Sequence, residues 1–221
     1  MRLGYSKIRV WDAPTRLFHW AVVLLVATSW ASQEFDRMRL HFLSGYTLLT
    51  LLLFRLAWGV VGSDTARFSR FLRSPLAAMR HLLELPRPQP DTEIGHNAAG
   101  GWMVLLLLLL LAVQVGTGLC ANDEISVQGP LAAVVGDSWS NWLSHVHAVN
   151  FKLIEAAIVL HLLAIAAYRL LGHDLVRPMI TGWKRLPDAV RPPRMASPLL
   201  AFGILLVAAL AVAAGVRALG G

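Results

Sequence analysis

Residues 147–161 read HAVNFKLIEAAIVLH, an apolar stretch with a histidine at each end. It belongs to a longer apolar run, about residues 148–171, that is long enough to cross a bilayer as a helix. At about 100° per residue, the 14-residue interval falls about 40° short of whole turns, so both histidines leave the same helix face. At about 1.5 Å per residue they lie about 21 Å apart along the axis. The stretch therefore predicts one helix that presents two ligands at two depths of a membrane.

The rest of the chain is similarly apolar. Its 221 residues are 56% hydrophobic and 15% charged, which is more apolar surface than a soluble domain of this size can bury. In a bilayer each segment must satisfy its own backbone groups, so each span is predicted to be a helix, and the alternating pattern of a membrane barrel is absent. We predict an all-α membrane protein, with a four-helix transmembrane bundle and a fifth C-terminal transmembrane helix, over about residues 17–33, 41–61, 102–121, 148–171 and 197–216.

The formal net charge of +7 does not indicate nucleic acid binding, because the basic residues cluster at the ends of the predicted helices. Sixteen of the 20 Lys and Arg residues lie before the first span, around the end of the second, or around and beyond the end of the fourth. The positive-inside rule then predicts a cytoplasmic N-terminus and an outer C-terminus. The segment 121–147 has no Lys or Arg but contains Asp123, Glu124 and Asp137, which predicts an acidic outer loop with a short interfacial helix.

Histidines within the apolar spans point to a cofactor. His19, His41 and His161 lie where an ionisable side chain is costly and needs a function, although hydrogen bonding between helices is an alternative explanation. The helix directions bring His19 and His161 to the cytoplasmic side, and His41 and His147 to the outer side. Each pair can supply both axial ligands of a b-type haem, and iron held by two imidazoles has no open position, which suits electron transfer.

Other metal chemistries fit less well. His145 is 16 residues from His161 and points about 160° away, so we expect it to be a loop or surface residue. Zinc and di-iron sites need several ligands that converge, often with a Glu-x-x-His pair, and no such pair occurs. The single cysteine, Cys120, excludes a covalent C-x-x-C-H haem site, so axial ligands alone would hold a haem here.

The chain resembles the bacterial cytochrome b561 and nickel-iron hydrogenase cytochrome b superfamily over about residues 8–186. The segments that carry this resemblance are VWDAPTRLFHW (10–20), LHFLSGY (40–46), GHNAAGGWM (95–103) and HAVNFKLIEAAIVLH (147–161). The resemblance implies a di-haem domain at 1–186, followed by a linker and fifth transmembrane helix at 187–221. It implies two b haems, with the axial iron ligands paired as His19 with His161 and His41 with His147. It also implies electron transfer between a quinone and a partner redox protein, in the bacterial inner membrane. His145 and the fifth helix depart from the pattern, which leaves the partner open.

Charged residues near the predicted haems are candidates for propionate contacts. Arg16 and Arg55 lie at the cytoplasmic level and can pair with propionates there, or can simply follow the positive-inside distribution. Lys152 can meet a propionate of the outer haem, or can pair with Glu155 three residues further along the helix.

Two further residues are candidates for cofactor contacts. Gly45 lies one turn after His41, where the absence of Cβ would let a porphyrin approach the backbone; helix packing explains it as well. His96 precedes the third span and is a candidate proton donor or acceptor for a quinone, and a hydrogen bond at the helix entry is the alternative. Between the second and third spans, residues 62–101 predict a cytoplasmic surface helix followed by an extended linker.

Three functions are compatible with this pattern. The first is a di-haem conduit between the quinone pool and a periplasmic redox partner, a c-type cytochrome or hydrogenase-like subunit, that docks on the 121–147 loop. The second is an enzyme, a superoxide:quinone oxidoreductase that acts on a small diffusible species; a cationic outer funnel would favour it. The third is a haem-free permease with a histidine proton relay, which predicts no visible absorbance.

Overall fold

A computed structural model describes residues 4–84, 92–125 and 127–219. The described residues are mostly helical and form nine helices and one two-stranded sheet. The helices are α1 Ala13–Glu34, α2 Met38–Val61, α3 Phe68–Phe71, α4 Pro75–Glu84, α5 Ala98–Cys120, α6 Ala132–Val135, α7 Asp137–Leu170, α8 Val176–Thr181 and α9 Pro198–Ala218. The strands are β1 Tyr5–Arg9 and β2 Trp183–Pro187.

Four helices are long and apolar enough to cross a membrane, namely α2, α5, α7 and α9. Helix α1 has 22 residues, but Arg16, His19 and several serines and threonines dilute its apolar character. The predicted membrane helices are thus supported for four of five segments, the C-terminal one included. A crossing by α1 stays a prediction.

Helix α7 corrects one predicted boundary. It begins at Asp137, about three turns before the predicted start at residue 148, and runs for 34 residues. At about 1.5 Å per residue it is about 51 Å long, whereas the hydrocarbon layer is about 30 Å thick. Residues 137–147 were predicted to be part of a loop because hydropathy falls where a helix leaves the apolar layer, and a helix can continue beyond that point. The carboxylate of Asp137 lies in the first turn, where the helix dipole favours an anion.

The described residues are mostly helical, as predicted, and the small sheet is an addition that the sequence did not indicate. Strand β1 pairs antiparallel with β2, with Lys7 opposite Arg185 and Tyr5 opposite Pro187. Ile8 and Leu186 are buried, at 5% and 0% exposure, while Lys7, Arg9 and Arg185 beside them are exposed. A strand of five residues with one or two buried positions carries little signal next to long apolar helices, and its partner is about 180 residues away in the chain.

The chain divides into two compact units that interleave along the sequence. Unit 1 contains Met1–Phe18, Arg55–Leu105 and Val159–Ala201, and includes the sheet, α3, α4 and α8. One hydrophobic cluster in this unit consists of the buried residues Ile8, Val10, Trp11 and Leu186. Helices α3 and α4 occupy the segment predicted to hold a surface helix, and the linker prolines Pro86, Pro88 and Pro90 lie outside the described residues.

Unit 2 contains His19–Phe54, Leu106–Ile158 and Phe202–Gly221. Its buried apolar residues come from segments of α2, α5, α7 and α9, for example Leu48, Leu108, Ile154 and Val212. Much of α9 is exposed and apolar, which is typical of a helix that faces lipid. The predicted domain boundary between residues 186 and 187 stays a prediction.

Candidate functional site

Unit 2 contains a cavity of about 430 Å³. Residues of α1, α2, α5 and α7 line it, and most of them are apolar. His41 of α2 and His147 of α7 both face this cavity. A largely apolar cavity with two convergent imidazoles is the usual construction of a cofactor site.

A backbone carbonyl fixes the proton of His41. Its Nδ1 lies 2.9 Å from the carbonyl oxygen of Ser29, and a carbonyl only accepts, so Nδ1 carries the proton and Nε2 keeps its lone pair. The neighbouring hydroxyls brace this arrangement, since Ser44 Oγ donates to the carbonyl of His41 at 2.9 Å and lies 2.6 Å from Ser29 Oγ. This is the outer-sphere pattern found around metal-binding histidines.

His147 has the same arrangement on another helix. Its Nδ1 donates to the carbonyl oxygen of Gln114 at 2.9 Å, and Thr117 Oγ1 lies 3.2 Å from the same nitrogen. Its Nε2 lies 3.0 Å from the side-chain nitrogen of Gln114. Both cavity histidines therefore hold Nδ1–H on a backbone carbonyl and keep Nε2 as the basic nitrogen.

The spacing of the two rings fits one metal between them. Their centroids are 6.3 Å apart and the ring planes cross at 72°. An imidazole nitrogen binds a metal at about 2 Å, and the ring centroid lies about 1 Å behind that nitrogen, so two axial ligands of one iron have centroids about 6 Å apart.

Two glycines bear on this cavity in different ways. Gly45 lines it, and a Cβ added there would meet nothing within 4 Å, so this backbone borders open space. At Gly118 of α5 an added Cβ would lie 2.8 Å from Cε1 of His147. Gly118 therefore makes room for the imidazole, a role that sequence reasoning did not identify.

Charged side chains are few at this cavity. Glu34 and Lys152 line it among the described residues. Lys152 Nζ forms an ion pair with Glu155 Oε2 at 3.0 Å, and its side chain is 75% exposed. The sequence-based alternative for Lys152, pairing along the helix, is thus present in the structure.

The model of the family Prokaryotic cytochrome b561 matches residues 10–182. The chain belongs to this family. The predicted resemblance is confirmed, and with it the expectation of a prokaryotic membrane protein that binds b-type haem and transfers electrons. No curated protein and no solved structure matches the chain. The cavity of this cytochrome b561 homologue fits the expected group, because it offers two imidazoles with ring centroids 6.3 Å apart and open space at Gly45.

The other two predicted ligands occupy different units. His19 lies near the start of α1 in unit 2, with its ring 4.9 Å from that of Trp20. His161 is half-buried on α7 in unit 1. His147 and His161 share one uninterrupted helix, as the sequence predicts. The pairing of His19 with His161 stays a prediction.

His145 is exposed on α7, which agrees with its predicted surface position.

Unit 1 of the cytochrome contains a buried charged cluster around Asp12. Its Oδ1 accepts the backbone N–H of Thr15 at 2.6 Å and so caps α1, while its Oδ2 accepts from Trp58 Nε1 at 3.1 Å. Arg55 is 2% exposed, and its guanidinium lies 4.8 Å from the ring of Phe68. One Arg55 nitrogen, Nη1, is buried with no hydrogen-bond partner among the described residues.

Arg16 and His96 also lie in unit 1. Arg16 Nη1 donates to the carbonyl of Ile180 at 2.5 Å, and its buried Nε has no hydrogen-bond partner among the described residues. The centroid of the His96 ring lies 4.6 Å from that of Trp11 and 4.7 Å from that of Phe71. Both predicted roles of His96 stay predictions.

Sequence reasoning missed one polar cluster, around Tyr168 in unit 1. Tyr168 is 8% exposed, and its hydroxyl lies 2.8 Å from His81 Nε2 and accepts from Asn97 Nδ2 at 2.9 Å. The ring of His173 lies 6.1 Å from the same tyrosine. Only folding brings His81 to Tyr168, because the two residues are 87 positions apart in the chain.

Proposed function

We propose that this cytochrome b561 homologue is a di-haem b-type cytochrome that transfers electrons across the membrane between the quinone pool and a periplasmic redox partner. The observation that carries the proposal is the His41 and His147 pair in the cavity of unit 2. Haem bound there would exchange one electron at a time without an open iron position.

The chain's own residues would prepare the outer haem site. The carbonyls of Ser29 and Gln114 orient the two imidazoles and raise their basicity through the Nδ1–H bonds. Lys152 lies at the cavity and is mostly exposed, so it can turn from Glu155 toward a propionate at little cost.

A second haem would be held by His19 and His161. Support comes from the family, from the 14-residue spacing on α7, and from the cost of two imidazoles in apolar helices. The buried, unpartnered Nη1 of Arg55 and Nε of Arg16 are suited to propionate oxygens, because a buried cationic donor without an acceptor is costly. We assign these two arginines to the propionates of this haem.

We assign the quinone to the region of His96. A histidine side chain can give or take a proton near neutral pH, as the reaction of a quinone requires. The distribution of the basic residues supports our assignment of this end, with the N-terminus, to the cytoplasmic side of the bacterial inner membrane.

The partner, a c-type cytochrome or hydrogenase-like subunit, would dock at the acidic segment 121–147. Asn122 fastens this segment to α7 by donating to Ser140 Oγ at 2.6 Å and to Asn141 Oδ1 at 2.8 Å. Asp123 and Glu124 are presented on a braced turn, because Asp123 Oδ1 accepts the backbone N–H of Val127 at 2.8 Å. A fixed acidic surface favours a partner with a basic face.

The superoxide:quinone oxidoreductase alternative would require a cationic entrance. At the cavity described here Lys152 is neutralised by Glu155, and the adjoining segment is acidic. The described residues therefore favour the conduit.

A redox spectrum and a haem count test the proposal. The purified chain is expected to show a b-type α band on reduction and two haems per chain. His19→Ala, His161→Ala and the double variant should each lose one haem, and the same one. If the double variant lost both haems, the pairing would be wrong, and a wild-type spectrum without an α band would reject the di-haem function.

A further inference from the structure

The β1–β2 sheet of unit 1 has two faces of different chemistry. Residues that lie opposite each other in an antiparallel pair point to the same side, so the register sorts the strand residues between the faces. One face carries Ile8 and Leu186, which belong to the buried cluster of this unit. The exposed residues of the other face, which we call the basic sheet face, are Tyr5, Lys7, Arg9, Trp183 and Arg185. The buried Pro187 lies beside them, opposite Tyr5.

The basic sheet face carries three cations and no acid. Lys7 lies directly opposite Arg185, and like charges in that position destabilise an antiparallel pair. Neither of these two side chains, nor that of Arg9, forms an ion pair within the described part of the chain. The fold therefore holds unmatched positive charge on an ordered surface, which favours an anionic ligand.

The acids closest in sequence to this face are engaged elsewhere. Asp12, three residues after Arg9, is 2% exposed and belongs to the buried charged cluster of unit 1. Asp188, three residues after Arg185, accepts from Ser6 Oγ at 2.6 Å, and the register places Ser6 on the opposite face of the sheet. An anion that matches the three cations thus has to come from outside the described residues.

Two aromatic side chains lie among these cations. Tyr5 is 54% exposed and Trp183 is 41% exposed, and Lys7 Nζ lies 5.3 Å from the centroid of the Trp183 ring. Exposed Trp and Tyr side chains beside Lys and Arg are typical of the headgroup level of a bilayer. This composition favours a lipid surface over a soluble acidic protein.

Helix α8 adds exposed apolar side chains next to the sheet. It contacts β2 and joins it through Gly182. Val176 is 42% exposed and Ile180 is 56% exposed. The carbonyl of Ile180 accepts from Arg16 Nη1 at 2.5 Å, which ties α8 to the first turn of α1. Apolar side chains close to cations let a surface element enter the headgroup layer while its charges meet the phosphates.

The sheet also lies close to the start of a bundle helix. Arg9 is four residues before Ala13, the first residue of α1, so at most about 14 Å of chain separates them. The backbone N–H of Val10 donates to the carbonyl of Gly182 at 2.9 Å, which holds β2 at the same place. In the proposed orientation this is the cytoplasmic end, where anionic headgroups give the membrane surface a negative potential.

We propose that the basic sheet face binds the phosphate groups of anionic lipids at the cytoplasmic surface of the membrane. Phosphate oxygens bound at Lys7 and Arg185 relieve the repulsion between these two cations, and Trp183 keeps the ammonium of Lys7 at the surface. The inference rests on the proposed orientation of the chain, and it does not depend on haem binding or on electron transfer.

Lipid titration of the full chain in a neutral detergent, read by native mass spectrometry, tests the proposal. Each basic residue near an anionic surface contributes about fivefold in affinity. The wild type should therefore prefer dioleoylphosphatidylglycerol over dioleoylphosphatidylcholine by about tenfold or more, and the combined substitutions Lys7→Gln, Arg9→Gln and Arg185→Gln should remove most of this preference. A wild type that does not distinguish the two lipids would overturn the proposal and leave an acidic protein as the partner of this face.

A matched control removes the same charge elsewhere. Arg70→Gln, Arg73→Gln and Arg80→Gln together neutralise three exposed arginines of unit 1 outside the sheet, and this variant should keep the preference. Equal losses in the two triple variants would contradict the proposal, since the lipid would then respond to total charge and not to the sheet.

Thermal unfolding checks the fold and separates lipid from free anion. Without the repulsion between Lys7 and Arg185, the sheet variant in detergent alone should unfold at or above the wild-type midpoint. Phosphatidylglycerol should raise the wild-type midpoint and not that of the sheet variant, because a ligand that binds the folded state stabilises it. An equal rise with inorganic phosphate at the same concentration would replace the lipid by a free anion and so overturn the proposal. Arg9→Gln alone, at the end of β1, gives a second reading if the triple variant does not fold, and should weaken phosphatidylglycerol binding about fivefold; unchanged binding would argue against the face.

Discussion

The two units bury polar side chains in different ways. In unit 2 the polar side chains of His41 and His147 hydrogen-bond to backbone carbonyls and border a cavity of about 430 Å³. In unit 1 the carboxylate of Asp12 and the guanidinium of Arg55 are each 2% exposed and pack among aromatic rings. Unit 2 thus contains space for a cofactor, whereas in unit 1 buried charged and polar groups connect the start of α1 to α2.

The difference shows what each kind of polar group requires. A histidine braced by one carbonyl keeps a free coordinating nitrogen, so the cavity is useful only when a ligand fills it. A buried carboxylate is stable only when donors and a counter-charge surround it, as Thr15, Trp58 and Arg55 surround Asp12. Substitutions in unit 2 should therefore change cofactor binding first, and substitutions around Asp12 should change stability first.

The largest expected effect is the loss of a whole cofactor. His147→Ala should remove one of the two proposed haems and about half of the α-band absorbance, because no other described side chain at this cavity supplies the second imidazole. The measurement is haem per chain by pyridine haemochrome assay. His145→Ala, two residues away and exposed, is the control and should keep both haems; the reverse result would assign the ligand to His145.

The next effect is on the stability of unit 1. Asp12→Ala removes the α1 cap and the acceptor of Trp58 and leaves Arg55 buried without its counter-charge, which should cost about 3–5 kcal/mol. Thermal unfolding in detergent measures it as a lower midpoint. Asp188→Ala removes a carboxylate that accepts from Ser6 in an exposed hydrogen bond and should change stability by less than about 1 kcal/mol. Equal losses would contradict the special role of Asp12.

A smaller effect is expected when the packing around His147 in unit 2 is changed and the histidine itself is kept. Gly118→Ala places a methyl group 2.8 Å from the ring of His147, and relieving this overlap should cost about 1–3 kcal/mol. Haem affinity should fall about tenfold or more, since a displaced ring no longer meets its partner. Gly116→Ala, on the same helix, meets nothing within 4 Å and should bind haem as the wild type does. A haem affinity of Gly118→Ala equal to that of Gly116→Ala would show that the ring adjusts freely.

The smallest effect lies outside both interiors, in the loop before α8. The backbone N–H of Arg177 and the guanidinium of Arg169 lower the pKa of Asp174 below its ordinary value of 3.8. A lowered pKa gives stability that is present above pH 4 and lost as pH falls through the folded-state pKa. Because Asp174 is partly exposed to solvent, the contribution should stay below about 1 kcal/mol. Asp174→Asn should lower the unfolding midpoint slightly at pH 7, and its difference from wild type should shrink as the pH falls below 4; a difference that did not change with pH would exclude this linkage.

Part of the fold and of the site can be predicted from local sequence. Long apolar runs predicted the membrane helices because burial in lipid depends on composition, and the 14-residue interval predicted that His147 and His161 share a face because helix periodicity is local. The motif around His41 and the order of the segments were enough to indicate the cytochrome b561 family, which the family match confirms.

The tertiary structure alone decided what surrounds the ligands. Gln114 and His147 are 33 residues apart, and Asp12 and Trp58 are 46 residues apart, so no local pattern predicts either contact. The space at Gly118 and the β1–β2 pairing likewise depend on how helices and strands pack. The sequence by itself determined which histidines lie on apolar helices, because periodicity and composition act within one segment. Which nitrogen each cavity histidine offers was decided by carbonyls that only folding brings within 3 Å.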